Sequence, residues 1–309
     1  MAKRISVINF KGGVGKTTLA FQLAAGLARY HKPARVLAID VDHQSSLSIL
    51  CLTAVGWDSV VAGGNTIDRV FSTFLGQHVF PGREIIYPTP LNQARYGNLH
   101  IVPASLRLDD IEIELTSSHQ GNAIQSEWNK RTLICRWLEE TGLDDEYDYI
   151  IFDCPPATKI VSQNAIAASH GYIIPVVPEA VMERGAPHLA NMVKSGIDAK
   201  LKAIANFGAA RPLHVPDTKL VGVAITRIKS SAGYSGYTDD HTQHLASLRR
   251  TWTTNLVEPY ISDGTGVAQT LSAGVPVYDW GNTQNIGDRG IDGQYRRLTE
   301  ELKNRIDAL

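Results

Sequence analysis

Cysteine is scarce in this 309-residue chain, and the three that occur stand far apart. Cys51, Cys135 and Cys154 form no CxxC pair, so the sequence lacks the ligand spacing of a structural zinc site or an iron–sulfur cluster. Long apolar runs are missing too, since no window of about 18 uninterrupted apolar residues occurs. The first apolar run is only about six residues long, which is too short for a signal peptide. We therefore expect a cytoplasmic protein without a membrane span.

An excess of charge of one sign is also absent. Thirty basic and 31 acidic residues leave a net charge of −1, which excludes a global basic field of the kind that marks many nucleic-acid-binding proteins. No Pro/Gly/Ser-rich linker separates two self-contained patterns. The sequence thus predicts a single domain over residues 1–309. Two stretches interrupt its pattern, 53–97 and 106–146, and we interpret them as insertions.

Short apolar runs recur along the chain, and helical stretches lie between most of them. Runs without polar interruption are typical of strands that are buried on both faces. Strands that alternate with helices predict an α/β fold with a doubly wound, mostly parallel sheet flanked by helices, and a ligand at the carboxyl ends of the strands. The predicted strands are 4–9, 35–40, 98–103, 147–153, 171–177 and 219–226, and the first predicted helix is 16–30.

A glycine-rich segment joins the first predicted strand to the first helix. A strand, a glycine-rich turn and a helix N-terminus in this order make a phosphate cradle, because backbone N–H groups can point at one anion. Lys16 is placed to reach the β- and γ-phosphates, and the Thr17 hydroxyl is placed to coordinate Mg²⁺. The segment predicts a bound nucleoside triphosphate with Mg²⁺. It reads Lys11-Gly12-Gly13-Val14-Gly15-Lys16-Thr17-Thr18.

The start of this segment departs from the usual P-loop. Phe10 stands where the common pattern has glycine, and an additional lysine, Lys11, opens the loop. Lys11 is badly placed for the leaving group of its own nucleotide but well placed to cross a subunit boundary.

The string KGGVGKTT with its leading lysine resembles the hallmark of the ParA/MinD ATPases, which carry a deviant Walker A motif. The resemblance implies a P-loop NTPase fold, ATP and Mg²⁺ as ligands, and slow ATP hydrolysis by two subunits that close face to face over two ATP molecules. Lys11 would then reach the phosphates of the partner and neutralise charge in the transition state, as an arginine finger does. All eight residues from Lys11 to Thr18 would bind nucleotide.

Two carboxylate segments at predicted strand ends extend the resemblance. Residues 40–44, DVDHQ, resemble the first switch of the family, DxDPQ, with His43 in place of proline. By this match Asp42 is catalytic and orients the attacking water, while Asp40 lies behind it near Lys16 and the metal. Residues 153–156, DCPP, resemble the second switch, in which the aspartate, here Asp153, holds magnesium or its water shell. The expected metal site comprises Thr17, Asp40 and Asp153, and the expected catalytic residues are Lys11, Lys16 and Asp42.

The later part of the chain matches the family less specifically. Residues 175–179, PVVPE, resemble a third conserved stretch that carries part of the dimer interface. Thr226 and Arg227 stand where the family places residues beside the adenine base, and 257–261 and 273–277 match a C-terminal pattern of a strand, a loop over the base and a Gly-x-Pro turn.

The resemblance implies a ParA-type partition ATPase on the nucleoid. Its ATP-bound homodimer would bind DNA without sequence preference, and a ParB-like or other adaptor protein on a plasmid, chromosome or other cargo would stimulate hydrolysis. Residues 262–266, SDGTG, occupy a loop where partition ATPases often have arginines. This chain has no arginine in that loop, so the usual contact of the family with DNA is not predicted there. Ten basic residues are candidate phosphate contacts: Lys194, Lys200, Lys202, Arg211, Lys229, Arg249, Arg250, Arg289, Arg296 and Arg297.

The alternative is a membrane-associated positioning ATPase of the MinD kind, which should end in a basic amphipathic helix. The predicted helix 295–309 has Leu298, Leu302, Ile306 and Leu309 on one side, but it carries three acidic residues and no Trp or Phe. We therefore expect it to pack on the core of its own chain. One further possibility stays open, because His241 and His244 have the helical spacing of metal ligands.

Overall fold

Eight strands form one sheet in the part of the chain that the structure, a computed structural model, describes: residues 1–156, 159–206, 217–231, 236–280 and 290–309. The strand order is β3-β4-β2-β5-β1-β6-β7-β8, and every neighbouring pair is parallel except β3 and β4 at one edge. The strands are β1 (Lys3–Val7), β2 (Val36–Asp40), β3 (Tyr87–Pro88), β4 (Leu99–Val102), β5 (Tyr149–Asp153), β6 (Gly171–Val176), β7 (Lys219–Ile225) and β8 (Leu256–Val257).

Fifteen α-helices are found among the described residues, and one π-helical turn, Met192–Asp198, joins two of them. The helices are α1 (Lys16–Tyr30), α2 (Ser46–Leu52), α3 (Ala54–Ala62), α4 (Asp68–Ser72), α5 (Gln93–Tyr96), α6 (Arg107–Ser117), α7 (Ala123–Arg131), α8 (Leu133–Thr141), α9 (Leu143–Glu146), α10 (Ile160–Ala167), α11 (Ala180–Asn191), α12 (Ala199–Asn206), α13 (Asp239–Trp252), α14 (Thr265–Ser272) and α15 (Ile291–Asp307).

The six predicted strands are confirmed as β1, β2, β4, β5, β6 and β7, and the predicted first helix is α1. The strand expected at 257–261 is shorter, because pairing in β8 stops at Val257; Pro259, which has no backbone N–H to donate to a neighbouring strand, lies just beyond it. Helix α14 occupies most of the expected loop that follows. The interruption 53–97 contains the antiparallel edge strand β3, and 106–146 contains α6 to α9.

Side chains of successive strand residues pack into two different cores, one on each face of the sheet. In β2, Leu37 and Ile39 belong to the core that contains α8, α10 and α11, whereas Val36 and Ala38 belong to the core that contains α1 and α15. Every residue of β2 and of β5 is buried. This burial is the reason why the predicted strands read as apolar runs without polar alternation.

Helix α15 packs on the core of its own chain, as the sequence predicts. Leu298, Leu302 and Ile306 are buried in the core that α15 shares with α1, and Leu309 is packed against it. None of the helices among the described residues has the length and hydropathy that a bilayer crossing requires.

All three cysteines are free thiols and all are buried. Burial raises the pKa of each of these thiols, because the thiolate is poorly solvated inside the core.

The packing of α15 generates a stability prediction. Leu302→Ala should lower the free energy of unfolding by about 2–5 kcal/mol, since it removes a fully buried leucine side chain and leaves a cavity. Urea denaturation followed by circular dichroism measures the change. The exposed neighbour Asn304 supplies the control, because Asn304→Ala should change stability by no more than about 0.5 kcal/mol. Equal stability of the two variants would contradict the packing of α15.

Candidate functional site

The strand register places the glycine-rich segment and the two switch aspartates at one edge of the sheet. Strand β5 lies between β1 and β2, and Asp153 is the register partner of both Val7 and Asp40. The chain leaves all three strands here, and the exits are tied together by hydrogen bonds from Val41 N to Asp153 O (3.0 Å) and from Cys154 N to Val7 O (3.3 Å). The three predicted segments therefore converge on one site.

The glycine-rich segment has the backbone of an anion cradle. Gly13 and Gly15 adopt positive φ angles of 75° and 81°, which residues with a Cβ reach only with strain. A Cβ placed on Gly12 or Gly13 would meet no atom within 4 Å, so both positions face open space. Gly15 caps α1, whose first turn contains no acidic residue. The partial positive charge of the helix N-terminus is thus available to an anion.

Lys16 lies over this loop, where its Nζ donates a hydrogen bond to the Lys11 carbonyl at 3.2 Å. Burial lowers the pKa of Lys16, and the negative charges of Asp153 and Asp42 oppose that effect. A lysine in this position is close to both the cradle and the carboxylates. Its ammonium group can therefore bind a phosphate and compensate the negative charge of the carboxylates.

Asp40 is fully buried and held by residues of its own switch segment and of α2. Its Oδ2 accepts hydrogen bonds from Ser48 N (2.9 Å) and from the Ser48 hydroxyl (2.7 Å), and its Oδ1 accepts one from Asp42 N (3.0 Å). Burial raises the pKa of Asp40, while the Ser48 bonds oppose the rise. Ser48 is not among the predicted site residues. Only its rotational position on helix α2 distinguishes it from the nearby Ser45 and Ser46, and the sequence does not fix that position.

Asp153 provides the test of whether this site suits a metal ion. Both of its carboxylate oxygens are buried and accept no hydrogen bond of good geometry from the described residues. Burial and the nearby Asp40 raise the pKa of Asp153, and Thr17 and Lys16 act in the opposite direction. Two buried carboxylates beside a threonine hydroxyl are hard oxygen donors, and Mg²⁺ commonly uses one or two carboxylates together with phosphate and water oxygens. The residues present therefore fit Mg²⁺.

A cavity of about 750 Å³ extends from the cradle along the carboxyl edge of the sheet. The predicted pair Thr226 and Arg227 lines it. The Thr226 hydroxyl donates to Val14 O (2.8 Å) and the Arg227 guanidinium to Gly13 O (2.9 Å), so both residues brace the cradle. The sequence did not predict that residues of α14 and α15, the two helices that follow β8, also line this cavity. These residues are Val267, Ala268 and Leu271 of α14 and Tyr295 of α15.

The loop 262–266 also lines this cavity. Its Asp263 forms an ion pair with Arg227 at 3.2 Å. In this chain the loop that departs from the arginine-containing pattern therefore faces the same cavity as the glycine-rich segment.

Lys11 does not point into the cradle of its own chain. Its Nζ forms an ion pair with the Glu179 carboxylate at the start of α11, and this hydrogen bond lowers the pKa of Glu179. Both side chains are partly exposed. Phe10, the other departure from the common pattern, packs against the His188 ring on the same helix with ring centroids 5.8 Å apart. Phe10 and Lys11, the first residues of the loop, thus contact α11 and the residue that precedes it.

The histidine pair on α13 has protein partners. His241 Nδ1 accepts a hydrogen bond from Lys229 N at 3.0 Å, and His244 contacts Glu183 (2.8 Å) and Asp240 (3.4 Å). Among the described residues, no group of three or more His, Cys, Asp or Glu side chains is placed to share a metal ion.

The candidate DNA contacts differ in how they are engaged. Lys200 pairs with Glu127 (3.6 Å) and Lys202 with Asp217 (2.8 Å), while Arg249 and Arg296 lie over the rings of Tyr260 and Tyr30. Four candidates form neither an ion pair nor a ring contact with a described residue, and two others, Arg211 and Arg289, lie outside the described residues. The four are Lys194, Lys229, Arg250 and Arg297.

Comparison with known sequences gives a consistent result. The family profile described as AAA domain matches residues 2–205. The chain is 28% identical over 306 residues to the chromosome partitioning protein ParA of Myxococcus xanthus (strain DK1622), covering 97% of this chain and 88% of that protein. It is 32% identical over 200 residues to the sporulation initiation inhibitor protein Soj of Bacillus subtilis (strain 168), covering 63% of this chain and 66% of that protein.

Solved structures share the fold at low sequence identity. Apo McdA from Cyanothece superposes with a TM-score of 0.72 at 20% identity, covering 98% of this chain and 100% of that chain. Cobyrinic acid a,c-diamide synthase from Mycobacterium smegmatis, solved with a bound ATP analogue and magnesium, superposes with a TM-score of 0.62 at 20% identity, covering 97% of this chain and 93% of that chain. The predicted doubly wound, mostly parallel sheet is confirmed.

The Ser48 contacts generate a prediction about the acidic pair. Ser48→Ala removes the hydroxyl that donates to Asp40 and accepts from Ala104 N (2.9 Å), so a buried N–H loses its partner. We expect the free energy of unfolding to fall by about 1–3 kcal/mol, measured by urea denaturation. Ser272→Ala is the matched control, because that helical hydroxyl is exposed and bonds only within its own turn. A loss no larger than that of the control would show that the Asp40 contacts are not stabilising.

Proposed function

The chain belongs to the ParA/MinD family of P-loop ATPases, and from this premise we propose that it is a ParA-type ATPase whose ATP-bound dimer binds DNA and positions a cargo. The resemblance read from the sequence is therefore confirmed at the level of the family. The observation that carries the proposal is the convergence of the glycine cradle, Asp40, Asp42 and Asp153 at one edge of the sheet.

Nucleotide and metal binding are supported by the chemistry of the site. The positive φ angles of Gly13 and Gly15 and the N-terminus of α1 favour a polyphosphate. Thr17, Asp40 and Asp153 would hold Mg²⁺, which would supply positive charge to neutralise the phosphates. We propose that the base of ATP occupies the part of the cavity between Arg227 and α14.

Hydrolysis needs positioning and charge neutralisation more than covalent chemistry. In our proposal Asp42, which is buried beside the cradle, orients the attacking water, and Lys16 holds the β- and γ-phosphates. Lys11 acts on the nucleotide of the partner subunit. For this step Lys11 must leave the Glu179 carboxylate, so its release is coupled to the approach of the second chain.

The dimer is proposed to bind duplex DNA through lysine and arginine side chains that contact phosphates. An adaptor protein, ParB-like or specific to another cargo, would stimulate hydrolysis and thereby end DNA binding. The related ParA of M. xanthus is described as a chromosome partitioning protein, which supports action on the nucleoid in the cytoplasm. The buried apolar face of α15 gives no support to the MinD-like alternative, because that face is not available to a membrane.

The first prediction from this proposal concerns the dimer and Lys11. A slowly hydrolysed ATP analogue, but not ADP, should double the mass measured by light scattering. Lys11→Ala should lower ATP turnover by about 10³-fold or more, because a charge supplied across the interface is worth three to five powers of ten in related hydrolases. Phosphate release under single-turnover conditions measures this effect.

Two variants sharpen the dimer experiment. Lys32→Ala, at an exposed lysine outside the site, should keep parental turnover. Asp42→Ala should still bind ATP and dimerise but should not hydrolyse. An unchanged mass with the ATP analogue, or parental turnover in Lys11→Ala, would contradict the dimeric mechanism.

The second prediction concerns DNA. The ATP-bound protein should bind arbitrary duplex DNA with an affinity that falls steeply as salt rises. Lys229→Ala and Arg250→Ala should each reduce the slope of log affinity against log salt by about 1, whereas Lys202→Ala, whose lysine is already paired with Asp217, should not. Fluorescence anisotropy with labelled duplexes measures these slopes. Binding to anionic vesicles in place of DNA would favour the MinD-like alternative.

A further inference from the structure

The cradle contains backbone donors without a partner next to backbone acceptors that are bonded. Within the described part of the chain, the N–H groups of Val14 and Gly15 donate no hydrogen bond, although Val14 is only 1% exposed. The carbonyl oxygens of Gly13 and Val14, by contrast, each accept one. Most buried backbone groups of both kinds are paired in folded proteins, so the two unpaired donors are suited to an anionic ligand.

Each of these carbonyl groups fixes the direction of the N–H group that follows it. A trans peptide unit is planar, and its C=O and N–H point in opposite directions. The peptide units of the cradle are trans, since the cis bonds found among the described residues precede Pro33 and Pro259. The partner of Gly13 O therefore sets the direction of Val14 N–H, and the partner of Val14 O sets that of Gly15 N–H.

These partners are two consecutive residues at the end of β7. The Thr226 hydroxyl is 2.8 Å from Val14 O, and a guanidinium nitrogen of Arg227 is 2.9 Å from Gly13 O. The same hydroxyl is 3.2 Å from Val176 O, so its shorter contact is the one to the cradle. Thr226 is held in turn, because its N–H donates to Val176 O at 2.8 Å. Two consecutive side chains thus act on two consecutive peptide units.

The backbone of Arg227 adopts a conformation that arginine rarely takes. Its φ angle is 54°, in the left-handed region that is unfavourable for a residue with a Cβ. Hydrogen bonds of the next residue hold this turn, because Ile228 N donates to Ile261 O (2.9 Å) and Asp263 N donates to Ile228 O (2.8 Å). An unfavourable conformation that its surroundings enforce is often part of a functional arrangement.

Asp263 holds the Arg227 guanidinium from the side opposite to the cradle. Nε of Arg227 is 3.2 Å from Asp263 Oδ1 while Nη1 donates to Gly13 O, so one planar group joins the loop 262–266 to the cradle. A lysine could not make both contacts, because its single nitrogen cannot take the place of two guanidinium nitrogens. The Asp263 carboxylate also offsets the charge of Arg227, which reduces the direct attraction of this arginine for a phosphate.

From these contacts we propose that Thr226 and Arg227 are positioning residues for the phosphate groups, in addition to the place beside the base that the sequence predicts for them. By holding Val14 O and Gly13 O, they aim the N–H groups of Gly15 and Val14 at the phosphates. Asp263 keeps the Arg227 guanidinium in place. The inference rests on the proposed nucleotide site, and it requires that a polyphosphate without a base also depends on both side chains.

The test uses the full chain and two probes, ATP and inorganic tripolyphosphate, which has no base. Thr226→Val removes a hydroxyl without a change of charge, and Arg227→Asn removes the guanidinium while asparagine tolerates the left-handed conformation. Each variant should bind tripolyphosphate about tenfold more weakly, because an N–H group that is no longer aimed loses a hydrogen bond to a charged group. ATP should weaken at least as much. Isothermal titration calorimetry measures both affinities.

Two further variants separate positioning from charge and from the loss of a hydroxyl as such. Arg227→Lys keeps the positive charge but should weaken tripolyphosphate as much as Arg227→Asn does. Thr251→Val is the matched control for Thr226→Val, because the Thr251 hydroxyl is exposed and bonds only within its own helix. It should bind tripolyphosphate like the parent. Parental affinity in Arg227→Lys would show that charge alone matters and would overturn the proposal.

A measurement on the nucleotide-free chain tests the direction of the N–H groups themselves. In ¹⁵N-resolved NMR spectra, Arg227→Asn should shift the Val14 amide resonance and Thr226→Val the Gly15 amide resonance, because the carbonyl of the same peptide unit loses its donor. Unchanged resonances would overturn the proposal.

The binding results distinguish this inference from the proposed function. A loss of affinity confined to ATP would identify Thr226 and Arg227 as contacts to the base alone, and parental tripolyphosphate affinity in Thr226→Val or Arg227→Asn would show that neither aims a donor. Either result overturns the inference and leaves the nucleotide site in place. A parent chain that binds neither probe would instead contradict the proposed function, and the inference with it.

Discussion

The burial of two neighbouring carboxylates, together with the repulsion between them, is the constraint around which the carboxyl edge of the sheet is built. The register of β2 and β5 makes Asp40 and Asp153 neighbours, and apolar packing on both faces of the sheet holds that register. Lys16 supplies a positive charge nearby, but its own burial works against ionisation. In our proposal a divalent cation beside the phosphates would relieve this repulsion, and the sheet holds the two acids side by side without any ligand.

The loop entrance adds a second constraint. Lys11 pairs with Glu179 and Phe10 contacts His188, so the first residues of the cradle are in direct contact with α11 and the residue that precedes it. In the proposed mechanism this arrangement keeps the signature lysine away from the nucleotide of its own chain. It also makes α11 the element that must respond when a second chain approaches, and the π-helical turn Met192–Asp198 at its end is the kind of irregularity at which a helix can adjust.

The sequence was sufficient for the features that depend on local order. The meeting of Asp40, Asp153 and the glycine segment could be predicted, because these residues end or follow parallel strands, whose carboxyl ends lie at one edge of the sheet. Contacts between residues that are far apart in the sequence could not be predicted. Lys11 and Glu179 are 168 positions apart, and no local pattern relates them. The sequence pattern predicts a loop in place of helix α14, because the helix is short and is flanked by Gly264 and Gly274, both of which favour turns.

The burial of all three cysteines has a practical consequence for measuring motion in this molecule. Because Cys51, Cys135 and Cys154 are shielded and their thiolates are disfavoured, they should react slowly with maleimide dyes. A single cysteine introduced on an exposed turn of α11 would then be the dominant target for labelling. Fluorescence from that one position could follow α11 in real time in a chain that retains its native thiols.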